Sequence, residues 1–283
     1  MSTSKNNVIV LEGITPHSIP YDELFSMAQP VILKGLVKDW PLVKAGKSSS
    51  DNVMGLLEQH YSQRPTVVYK GPAAINARFG YNSSCTGFNF TSEPGTIPDV
   101  FAAIRAQLAR EQHDYFYINS LRLDEGFPTL SQTHQLTFNH AEFNNNQPVA
   151  KIWLGTESVA AAHFDQPKNI ACCVLGKRRF TLFPPEQVHN LYPGPLTPTP
   201  GGQVVTLANL GTPDFARFPR LKTALENAYI ADLEPGDAFD YYVFADSEQV
   251  LEHLPPESHG LLATMDDNQA RRLRAMLRNN LNR

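Results

Sequence analysis

Apolar positions along the chain follow two periods, and the change falls near residue 114. Before it, residues 8–13 (VIVLEG) predict a short strand, and PYDELFSMAQ spaces its apolar residues as a helix does. PVILKGLVKDWPLV reads as an apolar strand closed by a proline-containing turn. Two packing helices follow. SSSDNVMGLLEQHY places serine and aspartate where they can cap a helix start, and IPDVFAAIRAQLAREQ repeats the device with Val100, Phe101, Ile104 and Leu108 on one face.

Beyond residue 114 the period shortens. YFYINSL, KIWLG, NIACCVL, RFTLF and QVVTL are short, rich in β-branched and aromatic residues, and separated by Pro, Gly or Asn. Strands at this spacing predict a double-sheet barrel of the jelly-roll type, so the fold class is mainly β with flanking helices (α+β). RLKTALENA predicts a short helix after the proline-rich LYPGPLTPTPGG, and DDNQARRLRAMLRNNLNR a C-terminal one with Leu273, Met276, Leu277 and Leu281 on one stripe. The organisation expected is residues 1–113 packing on a core at 114–238, with a helical region at 239–283.

Bulk composition narrows the functions. A chain of 283 residues with 42% apolar residues can bury a sizeable core, and a net charge of −4 argues against nucleic acid as a partner. The three cysteines, Cys85, Cys172 and Cys173, do not make a disulfide framework. On a strand, Cys172 and Cys173 would face opposite sides as small core residues. The N-terminus lacks an apolar signal region and there is no run of about 18 apolar residues, so a cytoplasmic protein without membrane contact is expected. Phosphate-binding and nucleophile-elbow strings are absent.

One pair carries chemistry. In AAAHFDQPKNIACCVLGKRRFTLFPP, His163 and Asp165 are two apart, so on a strand they project from the same face. An imidazole and a carboxylate side by side, joined by a third ligand from another strand, form the facial arrangement that holds Fe(II) with positions left open. A lone His-x-Asp is common, and the surrounding string decides its weight.

That string, HFDQPKNIACCVLGKRRFTLFPPEQVHNLYPGP, resembles the JmjC-like cupin family, which includes the asparaginyl hydroxylase acting on hypoxia-inducible factor and bacterial relatives. The similarity extends through PVILKGLVKDWPLV, TGFNF and YFYINS, and downstream through ARFPRLKTALENAYIADLEPGDA. It implies a double-stranded β-helix that binds Fe(II) and the cosubstrate 2-oxoglutarate and hydroxylates a protein or small-molecule substrate with O2. It also implies roles by position: His163 and Asp165 as metal ligands and catalytic centre, Arg178 in place of the lysine that clamps the distal carboxylate, and Tyr117 as the hydroxyl of that clamp. Asn119 follows Tyr117 on the same strand face, and Asn169 matches the asparagine near the metal-bound end. Arginine suits a carboxylate because its planar fork binds both oxygens. Homodimers through C-terminal helices are common in the family, and the final stripe permits one.

Two departures stand out. Ala160 occupies the place of a threonine that would add a hydroxyl to the clamp. More seriously, the family's second metal histidine is expected on the strand after LEPGDA, yet FDYYVFADSEQVLEHLPPESHG follows and has no tryptophan or histidine at that offset. The join at Ala238 and Phe239 reads as an internal omission of two or three strands, with FDYYVF lying beyond the barrel and the barrel interrupted after Ala238. His253 and His259 fall in a proline-broken loop, and His140 and His189 read as loop or surface residues. A metal-free cupin that binds a ligand or partner is therefore the competing reading.

Overall fold

The computed structural model describes residues 6, 8–27, 29–107, 110–145, 147–163, 168–195 and 197–241. Asp165, Leu108 and the predicted C-terminal helix, with His253 and His259, lie outside them.

Twelve strands and six helices are described: β1 (Ile9–Leu11), α1 (Tyr21–Met27), β2 (Val31–Leu33), α2 (Pro41–Gly46), α3 (Ser50–His60), β3 (Thr66–Gly71), β4 (Arg78–Phe79), β5 (Thr91–Gly95) and α4 (Ile97–Gln107) lead into β6 (Tyr115–Arg122). α5 (Leu123–Gly126), β7 (Lys151–Gly155), β8 (Val159–Ala160), β9 (Asn169–Cys172), β10 (Arg178–Leu182), α6 (Leu221–Glu226), β11 (Tyr229–Leu233) and β12 (Ala238–Tyr241) complete the order. The result is a mainly β fold with several antiparallel sheets and few helices.

The central sheet runs β1-β2-β12-β9, and its inner strands β2 and β12 are buried on both faces. Alternation explains how. Val31, Leu33 and Ala238 point to a cluster with Tyr21 and Leu24 of α1, while Ile32 and Phe239 point the other way to Ala231 and Leu233 of β11. The sheet thus packs on helix α1 on one side and on the β10–β11 pair on the other. As predicted, Cys172 and Cys173 divide between the two clusters.

A second sheet runs β5-β3-β6-β7. Val68, Phe116 and Ile118 pack with α3 and α4 residues Val53, Leu57, Val100 and Phe101, whereas Tyr69, Tyr117 and Trp153 occupy the opposite face. The predicted capping is present: the Ser49 hydroxyl accepts from Asn52 N and starts α3. β3 was not predicted, although TVVYKG has the β-branched composition of a strand.

Four expectations need correction. Pro41 does not close a turn but opens α2, where a missing N–H at the first helical position leaves no bond unmade. QVVTL is not a strand; Thr206 makes one isolated bridge to Pro193, flanked by bonds from Gly194 N to Val205 O and from Leu207 N to Tyr192 O, and neither Pro193 nor Pro195 can donate to extend a ladder. His163 is not on a strand: β8 ends at Ala160. The carbonyl of Ala162 is taken by Thr206 N at 2.8 Å and that of Ala161 by the His163 ring, so neither is available for pairing.

The fourth correction concerns the join. Phe239, Asp240 and Tyr241 do not lie beyond the sheet. They continue β12, pairing with Ile32 and Val31 of β2 and with Ala171, Ile170 and Asn169 of β9, and Phe239 has no exposed surface. Burial of a large aromatic ring in the space between the layers favours this placement. The pairing is unbroken across Ala238 and Phe239. The LEPGDA turn sets its register. Gly236 has φ +104° and an added Cβ would stand 3.0 Å from Lys38 Cα, so glycine is required there. The buried Asp237 carboxylate accepts from Gly35 N and Lys34 Nζ, both at 2.9 Å, and from Glu234 N at 3.0 Å.

Candidate functional site

His163 lies three residues beyond β8, on a segment held from two directions. β8 pairs in parallel with β4, matching Val159 with Arg78 and Ala160 with Phe79, and Ala162 O accepts from Thr206 N. The imidazole Nδ1 stands 2.7 Å from Ala161 O. A carbonyl only accepts, so Nδ1 is the donor, and the tautomer with its lone pair on Nε2 is the neutral form this contact selects. That is the arrangement of most metal-binding histidines, in which one ring nitrogen is anchored on a carbonyl and the other ligates. The donor chemistry at this residue fits a metal. Among the described residues, however, no three His, Cys, Asp or Glu side chains gather as a ligand set.

The four other predicted residues fall into two groups. Asn169 opens β9 and faces Tyr241 across the β12 ladder, on the same side as Phe239. Tyr241 lies 5.5 Å from Phe180, and the Arg178 guanidinium lies over the Phe180 ring at 4.4 Å. Asn169 and Arg178 therefore border one aromatic cluster between the layers, which Phe239 completes at 4.9 Å from Phe180. Arg178 also lowers the pKa of both Cys172 and Cys173, but burial dominates and pushes the Cys172 thiol up to about 12, leaving it protonated at neutral pH.

Tyr117 and Asn119 form the second group, on the face of the β5-β3-β6-β7 sheet opposite its helices. Tyr117 lies 6.3 Å from Tyr69 and 5.6 Å from Phe79. Because Phe79 pairs with Ala160, this ring contact ties the Tyr117 face to the His163 segment. Ala160 stands where the missing threonine hydroxyl was expected. Gly155, opposite Tyr117 in β7, has to be glycine, since a Cβ there would lie 2.1 Å from Phe116 O.

Sequence reasoning missed Trp153. Its Nε1–H donates to Asn119 Oδ1 at 2.9 Å, and its indole is 45% exposed beside Tyr117. The signal was present in KIWLG: with Ile152 and Leu154 filling the core, period 2 sends Trp153 to the opposite face, where a large apolar ring needs a reason. The bond fixes the Asn119 amide, so that its Nδ2 is the group turned toward the proline-rich loop near Gly201. His140 caps a short 3-10 turn and meets Asp22 at 3.2 Å, beside a shallow cleft of about 240 Å³ that none of the candidate residues line. No helix among the described residues is long and apolar enough to cross a membrane.

Comparison with known proteins adds the family. The sequence pattern of a cupin-like domain matches residues 16–239. The lysine-specific demethylase JMJ31 of Arabidopsis thaliana is 28% identical over 162 residues, 56% of this chain and 27% of that protein. HSPB1-associated protein 1 of Rattus norvegicus is 23% identical over 229 residues, 75% of this chain and 44% of that protein. The chain thus spans less than half the length of either relative. With a match that runs from before α1 to the second residue of β12, the chain belongs to the cupin-like domain family.

Proposed function

We propose that the protein is an Fe(II)- and 2-oxoglutarate-dependent oxygenase of the JmjC type, built on a double-stranded β-helix, with His163 and Asp165 as its first two metal ligands. The observation that supports this reading is the His163 ring, whose Nδ1 stands 2.7 Å from Ala161 O, which would leave Nε2 as the nitrogen to bind a metal. A JmjC-named demethylase among the relatives agrees with it.

Iron, when bound, would activate O2 and drive the oxidation of 2-oxoglutarate and substrate. The chain supplies binding and orientation. Its polar groups lie in two places: Arg178 offers a planar fork for a carboxylate with the Asn169 amide in the same cluster, and Tyr117 a hydroxyl with the Asn119 amide on the other sheet. The packed layers of β9, β10 and β12 keep water from the inner face.

A specific observation favours a second reading, a metal-free cupin that binds a ligand or partner. Phe180, Phe239 and Tyr241 fill the space that Asn169 and Arg178 border, and Arg178 rests on one of these rings. Anaerobic addition of Fe(II) and 2-oxoglutarate separates the two. The oxygenase gives the weak visible charge-transfer band of the chelate, lost in His163→Ala, and turns over 2-oxoglutarate without substrate once O2 is admitted. A colourless protein with no turnover is the metal-free cupin.

A further inference from the structure

Among the described residues, the arginines differ in what partners them. Arg105, Arg122 and Arg179 each hold a carboxylate, at 2.7, 2.6 and 2.6 Å. Arg217 and Arg220 hold rings instead: their guanidinium groups lie 5.0 Å from the Phe218 ring centre and 4.4 Å from that of Tyr192. Those two rings meet edge to face at 4.9 Å and rest on the buried Leu221 and Ala224, which makes a firm platform.

The platform is locked in place. Arg220 Nη2 donates to His189 O at 3.1 Å, and Arg220 N donates to the Tyr192 hydroxyl at 2.9 Å. The carboxylate closest to Arg217 in sequence, Asp214, accepts through Oδ1 from the backbone N–H groups of Ala216 and Arg217 at 3.1 and 3.0 Å. Among the described residues no aspartate or glutamate forms an ion pair with either guanidinium. Lys222 adds a third cation on the same stretch, and Phe215 leaves 45% of its surface exposed there.

A guanidinium stacked on a ring keeps its in-plane N–H groups, and these suit the two oxygens of a carboxylate. Exposed aromatic residues beside arginine are the composition of interface hot spots. We propose that residues 215–222, backed by Tyr192, form a docking surface for an extended acidic peptide segment of a partner protein, with an apolar side chain of that segment meeting Phe215. Charge decides against nucleic acid as the occupant. The whole chain carries a net charge of −4, whereas a polyanion needs a basic face broader than one eight-residue stretch. The surface is joined to the candidate site, since Leu207 N bonds Tyr192 O and the adjacent Thr206 N bonds Ala162 O, one residue before His163.

The test is fluorescence anisotropy of a labelled twelve-residue peptide of glutamate and aspartate with one central phenylalanine, at low and at 0.5 M salt. Saturable binding is expected, weakened at least tenfold by Arg217→Glu, at least tenfold by Phe215→Ser with Arg220→Gln, and strongly by salt. Arg122→Glu, which disrupts a paired arginine elsewhere, should leave binding unchanged. Thermal melts verify that each variant is folded, and Arg217→Glu alone decides if Arg220→Gln is not. Equal binding by wild type and Arg217→Glu overturns the proposal. So does an absence of saturable binding, or tighter binding of a single-stranded oligonucleotide of the same length.

Discussion

The central sheet and the outer face of the β6–β7 pair are built on opposite terms. In β12, Ala238 and Phe239 have no exposed surface, are paired on both sides, and pack on opposite faces of the sheet. On β6 and β7, Tyr117, Asn119 and Trp153 sit half-exposed and are held by ring contacts and one hydrogen bond. The first region is specified by apolar burial, which tolerates little change in volume. The second is specified by the direction of polar groups, which adds little to stability but determines what can bind. Substitutions should therefore separate the two.

The largest effect is expected at Phe239. It is wholly buried and touches Phe180 at 4.9 Å and Tyr241 at 5.5 Å. Phe239→Ala should lower the free energy of unfolding by about 3–5 kcal/mol, read from urea denaturation. A loss below about 1 kcal/mol would mean that β12 is not the centre of this sheet, and the contrast between the regions would fail.

Asp237 comes next and adds a pH dependence. Burial pushes its carboxyl up, but the hydrogen bond from Lys34, the backbone N–H groups of Glu234 and Gly35, and the Lys34 charge outweigh burial and hold its pKa below the ordinary 3.8. The folded state thus prefers the carboxylate more than the unfolded chain does. This stabilisation is complete above the unfolded value and is lost as pH falls below about 4 toward the lower folded value. Asp237→Asn should cost about 1.5–3 kcal/mol at pH 7, the usual worth of bonds to a charged group, and should flatten part of the acid limb of the stability curve. Asp39, Asp124 and Asp232, paired with Lys44, Arg122 and Arg179 on the surface, are shifted the same way and keep the rest of that limb. An acid limb unchanged by Asp237→Asn would show that the LEPGDA turn is not held by charge.

How much of this was legible follows the same division. The helices were readable because Ser49 caps α3 and because Val100, Phe101 and Ile104 repeat at helical spacing. Strands β6, β7, β9 and β10 were readable from β-branched and aromatic runs. The continuation of β12 was not, because a resemblance placed FDYY beyond the barrel while its physical pattern, buried Ala238 and Phe239 after a Gly-Asp turn, already described a strand. QVVTL misled in the other direction: its composition suits a strand, but strands need donors opposite, and the facing prolines have none. At the site, Tyr117 with Asn119 could be grouped by strand alternation, whereas Asn169 and Arg178 lie on strands of different sheets and could not. The anchoring of His163 on Ala161 O could not, since it depends on a turn whose form no period encodes.

The smallest expected effect on stability sharpens the comparison most. Trp153→Phe keeps a ring on the outer face of β7 and removes only the Nε1–H that reaches Asn119 Oδ1. Both partners reach water, so the lost bond can be replaced by solvent, and the unfolding free energy should change by no more than about 0.5 kcal/mol. The amide of Asn119 is a different matter. Without the indole donor it can rotate, and an oxygen can then stand where Nδ2 stood, facing any carboxylate that enters beside Tyr117. If this face holds 2-oxoglutarate, Trp153→Phe should weaken its affinity several-fold by calorimetry while leaving urea unfolding unchanged. Fluorescence offers a check on the same point. Trp40 and Trp153 are the two tryptophans of the chain, so Trp40→Phe leaves Trp153 as the sole indole reporter, and its emission should change as ligand binds. An affinity loss accompanied by a comparable loss of stability would place Trp153 with the packing residues of β12 rather than with the polar groups of the site.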